Sequence, residues 1–399
     1  MIETTLAELS LNITDGKHGD CQGENDSGFY FISCKDVKDG QINYNDARQI
    51  TEKDFLDAHK RTKLEPNDIL VTNSGTIGRM AFIRDIPETH RTTFQKSVAI
   101  VKPDSGKIMP RYLYYQLQNC MADFINQSNG SAQKNLLLST MRAFKLWIHE
   151  EGKKQERIAE ILSAYDDLIE NNQKQINLLE EAAQRLYKEW FVDLRFPGHE
   201  TTTIVDGVPE GWVDRKFTDV VSIMSGGTPK TDNREYYDGN IPFYTPKDSN
   251  GAFFAFDTIT HISQSGLEHC NSQLYPAGTV IITARGTVGK TTILAVPMAM
   301  NQSCYALKCD DLNSPYYLFF ALNREVEKLK TMANGGVFNT IIVKTFEQIS
   351  LMVPPKDVLE SFEVVVAPFM EQIKSRMKQI ELLRETRDRL LPKLMNGKF

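Results

Sequence analysis

The segment Ala284-Arg-Gly-Thr-Val-Gly-Lys290-Thr291 is the part of this chain that most invites chemistry. A glycine-rich turn ending in Lys-Thr loosely resembles a phosphate cradle, with Ala284 where a first glycine would stand. Such a cradle needs a helix behind it, whose N-terminal N–H groups face the anion. Here Thr291-Thr-Ile-Leu-Ala-Val296 follows, a β-branched run that reads as a strand, and then Pro297. The same turn occurs earlier as Ser74-Gly-Thr-Ile-Gly-Arg79, with Arg79-Met80 in place of Lys290-Thr291. Both therefore read as glycine turns between two strands. Their backbone N–H groups, with Arg79 or Lys290, could approach a DNA phosphate. A tight hairpin that simply needs glycine is the competing explanation.

Other polar residues invite the same question. Arg285 stands where the earlier turn has Ser74. Arginine can take guanine O6 and N7 in a bidentate pair, whereas serine does not discriminate; an ordinary surface arginine is the alternative. Thr76 and Thr287 occupy matching places in the turns. Lys35-Asp36 and Lys247-Asp248 are shared, which suits phosphate positioning or an Asp-capped turn rather than sequence reading. Gln95-Lys96, Asn301-Gln302, Gln133-Lys134 and Asn339 carry amides or cations that could reach adenine edges or phosphates. Asn129-Gly130 and Asn334-Gly335 are first of all turn signals. No Asn-Pro-Pro-Tyr or Asp-Pro-Pro-Tyr segment is present of the kind that holds a flipped adenine. Cysteines 21, 34, 120, 270, 304 and 309 form no Cys-x-x-Cys, and no zinc-ligand rhythm includes them. Reduced, packed cysteines are expected, and no bound metal.

The elements that position these residues come in duplicate. Phe31-Ile-Ser-Cys-Lys-Asp36 parallels Phe243-Tyr-Thr-Pro-Lys-Asp248, and the two glycine turns follow in the same order. Pro110-Arg-Tyr-Leu-Tyr-Tyr parallels Pro315-Tyr-Tyr-Leu-Phe-Phe, and Gln175-Ile-Asn-Leu-Leu parallels Gln379-Ile-Glu-Leu-Leu. The offset drifts only from 212 residues (Phe31 to Phe243) to 204 (Gln175 to Gln379). Chance would not keep order and spacing together, so the chain is an internal duplication. Each copy begins with mixed strands and helices: strands at Ile69–Thr72, Thr279–Thr283 and Thr291–Val296, helices at Tyr112–Gln127 and Tyr316–Met332, and a strand after each Asn-Gly turn. The aromatic runs Tyr112–Tyr115 and Tyr316–Phe320 are expected in the core.

Each copy ends in a long helix. Ile158, Ile161, Tyr165, Leu168, Leu179 and Leu186 fall on a heptad a/d series, widened by Ile169, Ile176 and Ala183. Phe362, Val365, Phe369, Ile373, Ile380, Leu383 and Leu390 repeat it near the C-terminus. Neither Pro nor Gly interrupts 153–190, so the first helix would run on the order of 57 Å. The expected division is 1–152 and 196–355 as α/β (α+β) globular domains, with 153–195 and 356–399 as helices that pair as an antiparallel coiled coil with pseudo-two-fold symmetry. Such a reader suits duplex DNA, whose equivalent groove faces recur every ~34 Å. Because the copies diverge, the site would be asymmetric and bipartite.

Composition bounds the partners. Charged residues are 25% and the net charge is −6, so DNA affinity must come from locally arranged cations or from partner subunits. No apolar run is long enough to span a bilayer, and MIETTLAELS lacks the pattern of a secretory signal. A cytoplasmic protein without a membrane partner is expected.

The order domain–helix–domain–helix resembles the specificity subunit of type I restriction-modification systems. So do Val208-Pro-Glu-Gly-Trp212, Gly226-Gly-Thr-Pro229, Ile241-Pro-Phe-Tyr-Thr-Pro-Lys-Asp248, Pro276-Ala-Gly-Thr-Val280, Arg285-Gly-Thr-Val-Gly-Lys290 and Leu390-Leu-Pro-Lys-Leu394. The first half lacks the Pro-x-Gly-Trp opening and has Thr14-Asp-Gly-Lys17 where the second has Gly-Gly-Thr-Pro. The resemblance implies target recognition domains joined by spacer helices, which dock two DNA-methyltransferase subunits and two restriction/translocase subunits on double-stranded DNA. It implies no catalytic centre in this chain; S-adenosylmethionine, ATP and magnesium would sit on the partners. Two other readings remain: a nucleotide-binding enzyme using 284–291, and a purely structural coiled-coil adaptor.

Overall fold

A computed structural model describes the chain except residues 127–134, 310, 311, 313, 333–339 and 398–399. The chain divides into two compact units. Unit 1 takes Met1–Leu168 together with Leu383–Phe399, and unit 2 takes Ile169–Leu382.

Unit 1 contains strands β1 (Ile2–Thr5), β2 (Ser10–Asp15), β3 (Tyr30–Ile32), β4 (Ile69–Thr72), β5 (Met80–Phe82), β6 (Thr92–Phe94), β7 (Val98–Pro103) and β8 (Lys145–Ile148). Its main sheet has the order β2-β7-β4-β5 and is antiparallel throughout, with Leu70 opposite Ile100. Beside it β3 pairs parallel with β6, and β1 pairs antiparallel with β8. Every residue of β4 is buried, as its unbroken run Ile-Leu-Val-Thr requires. Helices α1 (Glu52–Thr62) and α2 (Pro110–Asn119) pack on this frame. Pro110 opens α2, where a missing N–H and a fixed φ cost nothing.

Unit 2 repeats the plan with strands β9 (Val213–Lys216), β10 (Val221–Ser225), β11 (Ile241–Tyr244), β12 (Phe254–Ala255), β13 (Val280–Thr283), β14 (Thr291–Leu294), β15 (Ala299–Met300), β16 (Cys304–Cys309) and β17 (Ser350–Val353). The sheet order is β10-β16-β13-β14-β12, so β12 adds one parallel edge strand to the four-strand plan of unit 1. Ile281 stands opposite Ala306, β11 pairs parallel with β15, and β9 pairs antiparallel with β17. The duplication read from the sequence is therefore a duplication of strand order and pairing sense.

Two 40-residue helices complete the chain, α3 (Gly152–Phe191) and α5 (Lys356–Met395), with α4 (Pro315–Met332) between them. Each unit holds a stretch of both. In unit 1 Asp166 pairs with Arg387 at 2.7 Å, while His149, just ahead of α3, reaches the Leu394 carbonyl at 3.3 Å. One number falls as the other rises, so the two stretches run antiparallel. In unit 2 Gln175 accepts a hydrogen bond from Arg376, and the Trp190 and Phe191 rings meet Phe362 at centroid separations of 5.7 and 4.8 Å. These stretches are antiparallel too. The first turn of α4 is closed by Glu363 of α5, which accepts from Ser314 Oγ, from the Tyr316 N–H at 3.0 Å and from the Tyr317 N–H at 3.2 Å. That satisfies donors a helix start otherwise leaves orphaned. In unit 1 Gln155 Oε1 of α3 likewise accepts from the Met109 N–H, just ahead of α2.

The heptad series needs one correction. Ile158, Phe362, Ile373 and Ile380 are buried, and Ile161, Tyr165, Leu179, Leu186, Phe369, Leu383 and Leu390 are half-buried. Leu168, expected in the seam, is 51% exposed, and Val365 is also exposed. The buried stripe of α3 runs instead through Ala159, Leu162, Ile176, Ala183, Tyr187 and Trp190, one residue later. The helix serves two neighbours at once. Tyr187 packs against Tyr317 and Phe320 of α4 as well as against Phe362 of α5, and this rotates the buried face away from Leu168. A second correction concerns the segments before β8 and β17. Short helices, Leu138–Ala143 and Val343–Phe346, come before those strands. The predicted helix Tyr112–Gln127 also breaks at Cys120 into α2 and a short helix Met121–Asn126. Among the described residues no helix is long and apolar enough to cross a membrane.

Candidate nucleic-acid interface

In unit 2 the predicted residues gather around the loop between β13 and β14. Thr283 ends β13, and its hydroxyl staples the loop: it donates to the Thr287 carbonyl and accepts from the Lys290 N–H at 3.1 Å. The Gly289 N–H returns to the Thr283 carbonyl at 2.8 Å. Gly286 and Gly289 hold φ of +80° and +78°, which a Cβ would disfavour. Two neighbouring segments are tied to this loop and to each other. The Ala284 N–H bonds to the Ser303 carbonyl at 2.7 Å, the Asn301 N–H to the Tyr244 carbonyl at 3.0 Å, and Thr287 Oγ1 to the Pro246 carbonyl at 3.3 Å. Asp248 closes the 245–248 turn by accepting from the Thr245 N–H at 2.8 Å and from Thr245 Oγ1 at 2.7 Å. The Gly226-Gly-Thr-Pro segment joins the same rim: the Gly227 N–H meets the Met300 carbonyl at 3.1 Å, and Thr228 donates to Gln302. A Cβ on Gly226 would lie 2.3 Å from the Met300 oxygen, so only glycine fits.

Lys247, Arg285, Thr287, Asn301 and Gln302 thus share one rim. All but Asn301 are exposed; its Oδ1 is used locally, accepting from the Ser303 N–H at 3.0 Å. Lys290 lies on the helix side of the hairpin. It lines a cavity of about 540 Å³ with Tyr187, Asn323, Arg324 and Lys330. Beneath the rim, burial pushes the Cys304 thiol up to about 12 and raises the Tyr244 phenol, so both stay neutral.

Unit 1 builds the same rim with different side chains. The Thr72 hydroxyl donates to the Thr76 carbonyl and accepts from the Arg79 N–H at 2.9 Å, and the Gly78 N–H meets the Thr72 carbonyl at 2.9 Å. The Asn73 N–H bonds to the Ser97 carbonyl at 3.0 Å and the Gln95 N–H to the Ile32 carbonyl at 2.8 Å, matching Ala284–Ser303 and Asn301–Tyr244. Asp36 closes the turn at Ser33 as Asp248 does at Thr245, with both bonds at 2.8 Å. A Cβ on Gly16 would lie 2.0 Å from the Phe94 oxygen, which makes Gly16 the counterpart of Gly226 despite the different flanking residues. Lys35, Thr76 and Lys96 are exposed here, and Ser74 and Gln95 are half-buried. Arg79, like Lys290, lies apart, in a cavity of about 670 Å³ with Lys38, Gln118 and Asp388. Gln133, Lys134 and Asn339 lie outside the described residues.

Among the described residues Lys35, Lys96, Lys247 and Arg285 form no ion pair with a carboxylate. An approaching phosphate therefore displaces no acid partner from them. The loop also settles the comparison with a phosphate cradle, because the residues after Lys290 are strand β14, paired antiparallel with β13 through Ile281 and Thr292.

Sequence reasoning missed the residues that hold the rim together. Thr72 and Thr283, Ser97 and Ser303, and the loop-opening Asn73 and Ala284 recur at matching places. Aligning the copies residue by residue, rather than by their most polar members, would have shown them.

A family model described as the type I restriction modification DNA specificity domain matches residues 22–181 and again residues 209–385. The type I restriction enzyme MjaIX specificity subunit of Methanocaldococcus jannaschii is 27% identical over 381 residues, covering 92% of this chain and 86% of that protein. The HindI specificity subunit of Haemophilus influenzae is 23% identical over 366 residues, covering 75% and 80%. The crystal structure of a type I restriction-modification S subunit from M. genitalium shares the fold, with a TM-score of 0.60, 16% identity, and coverage of 99% of this chain and 96% of that one.

Proposed function

The chain belongs to the type I restriction-modification DNA specificity family, and from that premise we propose that it reads an asymmetric DNA site as two short blocks, one per unit, and brings methyltransferase subunits to it. That it is a specificity subunit, the DNA-recognition component of such a system, follows from the family. The bipartite reading is supported above all by one observation: the same hydrogen-bonded rim is built twice, on identical backbone contacts, with different exposed side chains. A shared scaffold fixes the approach to DNA, and divergent side chains let each copy prefer different bases. Lys35 and Lys247, common to both, suit phosphate contacts; Ser74 and Arg285, which differ, suit base edges.

In this reading the long helices set the spacing between blocks and offer the docking surface for two modification subunits and two translocase subunits. The chain supplies recognition and no catalysis, working in the cytoplasm, while S-adenosylmethionine, ATP and magnesium belong to those partners. The test is to co-express the chain with its modification subunit and sequence the methylated positions. Two short defined blocks around a fixed gap are expected. Replacing residues 1–152 with another recognition domain should alter one block only; change in both, or in neither, refutes the modular reading.

A further inference from the structure

Two exposed aliphatic side chains stand where the polar rims end. In unit 1 the buried Leu136 donates its N–H to the Asn73 carbonyl at 2.8 Å; in unit 2 the buried Ile341 donates to the Ala284 carbonyl at 2.9 Å. Asn73 and Ala284 are the first residues of the two hairpin loops. The next residue continues in extended backbone, with φ −68° and ψ 143° at Leu137 and φ −122° and ψ 167° at Ile342. Successive side chains of extended backbone alternate, so with Leu136 and Ile341 turned inward, Leu137 and Ile342 turn outward. Leu137 is 60% exposed and Ile342 is 47% exposed, with Val343 at 48% beside it.

A single exposed leucine is ordinary on a protein surface. Recurrence at equivalent positions of two diverged copies, pinned to the same loop, is not. The loops beside them carry hydrogen-bonding and cationic groups: Ser74 and Thr76 in one unit, Arg285 and Thr287 in the other. The major groove offers one apolar feature among its donors and acceptors, the thymine C5-methyl group, and an alkyl side chain is its complement.

We propose that Leu137 in unit 1 and Ile342 in unit 2 are specificity-determining residues, each packing on a thymine methyl in the block its unit reads. This rests on the DNA-reading function above and adds the base feature the rim detects. The residues are anchored by their buried predecessors, so the contact is preformed.

The experiment uses the chain assembled with its modification subunit and duplexes carrying the mapped site. Each thymine is replaced in turn by deoxyuridine, which removes the methyl group and nothing else. The wild-type complex should bind about fourfold more weakly at one thymine of the first block, the factor that burying one methyl group is worth. Leu137→Ala should bind the thymine and uracil duplexes equally there while keeping its preference in the second block, which also reports that it is folded. Ile342→Ala should show the converse. The proposal is overturned by a block without thymine on either strand, by a wild-type complex indifferent to uracil throughout, or by variants that keep the discrimination. If no defined site is found by methylation sequencing, the DNA-reading function itself falls first, which separates the two failures.

Discussion

Asp166→Ala should unfasten unit 1. Asp166 on α3 accepts from Tyr115 Oη at 2.5 Å, from Arg111 at 3.3 Å and from Arg387 at 2.7 Å, so one carboxylate ties α2, α3 and α5 together. The side chains of Arg111, Asp166 and Arg387 are only 15%, 17% and 21% exposed. Removing the carboxylate strands the largely buried Arg111 and a phenol, and leaves Arg387 with only Asp388, at 2.9 Å, of its two carboxylate partners. Breaking such a pair by deleting one partner costs about 3–5 kcal/mol. Water reaches the edge of this cluster, so the lower end, about 3 kcal/mol, is expected, which is roughly two decades in an opening equilibrium. Hydrogen exchange measured by mass spectrometry reads this regionally, where a single global unfolding energy would not. Peptides covering 110–119 and 145–148 should exchange about a hundredfold faster, and peptides in β13 and β16 should be unchanged. Pairing Asp166→Leu with Arg387→Leu should recover part of the loss, since apolar side chains tolerate this burial better than orphaned charge. Exchange within threefold of wild type in Asp166→Ala would show that the cluster is solvated and the reasoning wrong.

Three further outcomes follow from the same structure. Met395 is fully buried in unit 1, so Met395→Ala should cost about 2–5 kcal/mol and raise the protease sensitivity of unit 1 before that of unit 2. Lys247→Ala should weaken DNA binding evenly across sequences and reduce the slope of log affinity against log salt by about one, whereas a change confined to one base position would contradict a phosphate role. Burial raises the Glu180 carboxyl from 4.5 to about 7. Its folded-state value lies above its unfolded one, so its stabilising contribution is full below about pH 4.5 and is lost as pH rises through 7. Glu180→Gln should therefore gain on wild type by about 3 kcal/mol at pH 8 and match it at pH 4, read from denaturation midpoints.

The sequence was most informative where a local rule acts alone. The β13–β14 hairpin is written in Thr-x-x-Gly-Thr-x-Gly, because its glycines need positive φ and its flanks are β-branched. The helix α3 was legible because neither Pro nor Gly interrupts 153–190, while α5 was legible from its apolar repeat and forms even though Pro368 and Pro392 lie within it. Leu168 was misplaced because a heptad assumes one partner, and α3 has two. The Asp166 cluster left no trace, since Arg111, Tyr115 and Arg387 are brought to it from three separate stretches of chain. Arg79 and Lys290 looked like members of the rim because they end the glycine turns, but the strand that follows carries them to the helix side.

One cavity of unit 1 bears on how the chain can be re-cut. Met1, His149, Asn396 and Gly397 line one cavity, and both termini belong to unit 1. Residues 1 and 397 are therefore close enough for a short peptide to join them. A peptide bridging the termini and a new break in the exposed 203–207 hairpin would give a permuted chain that starts with what is now the second head.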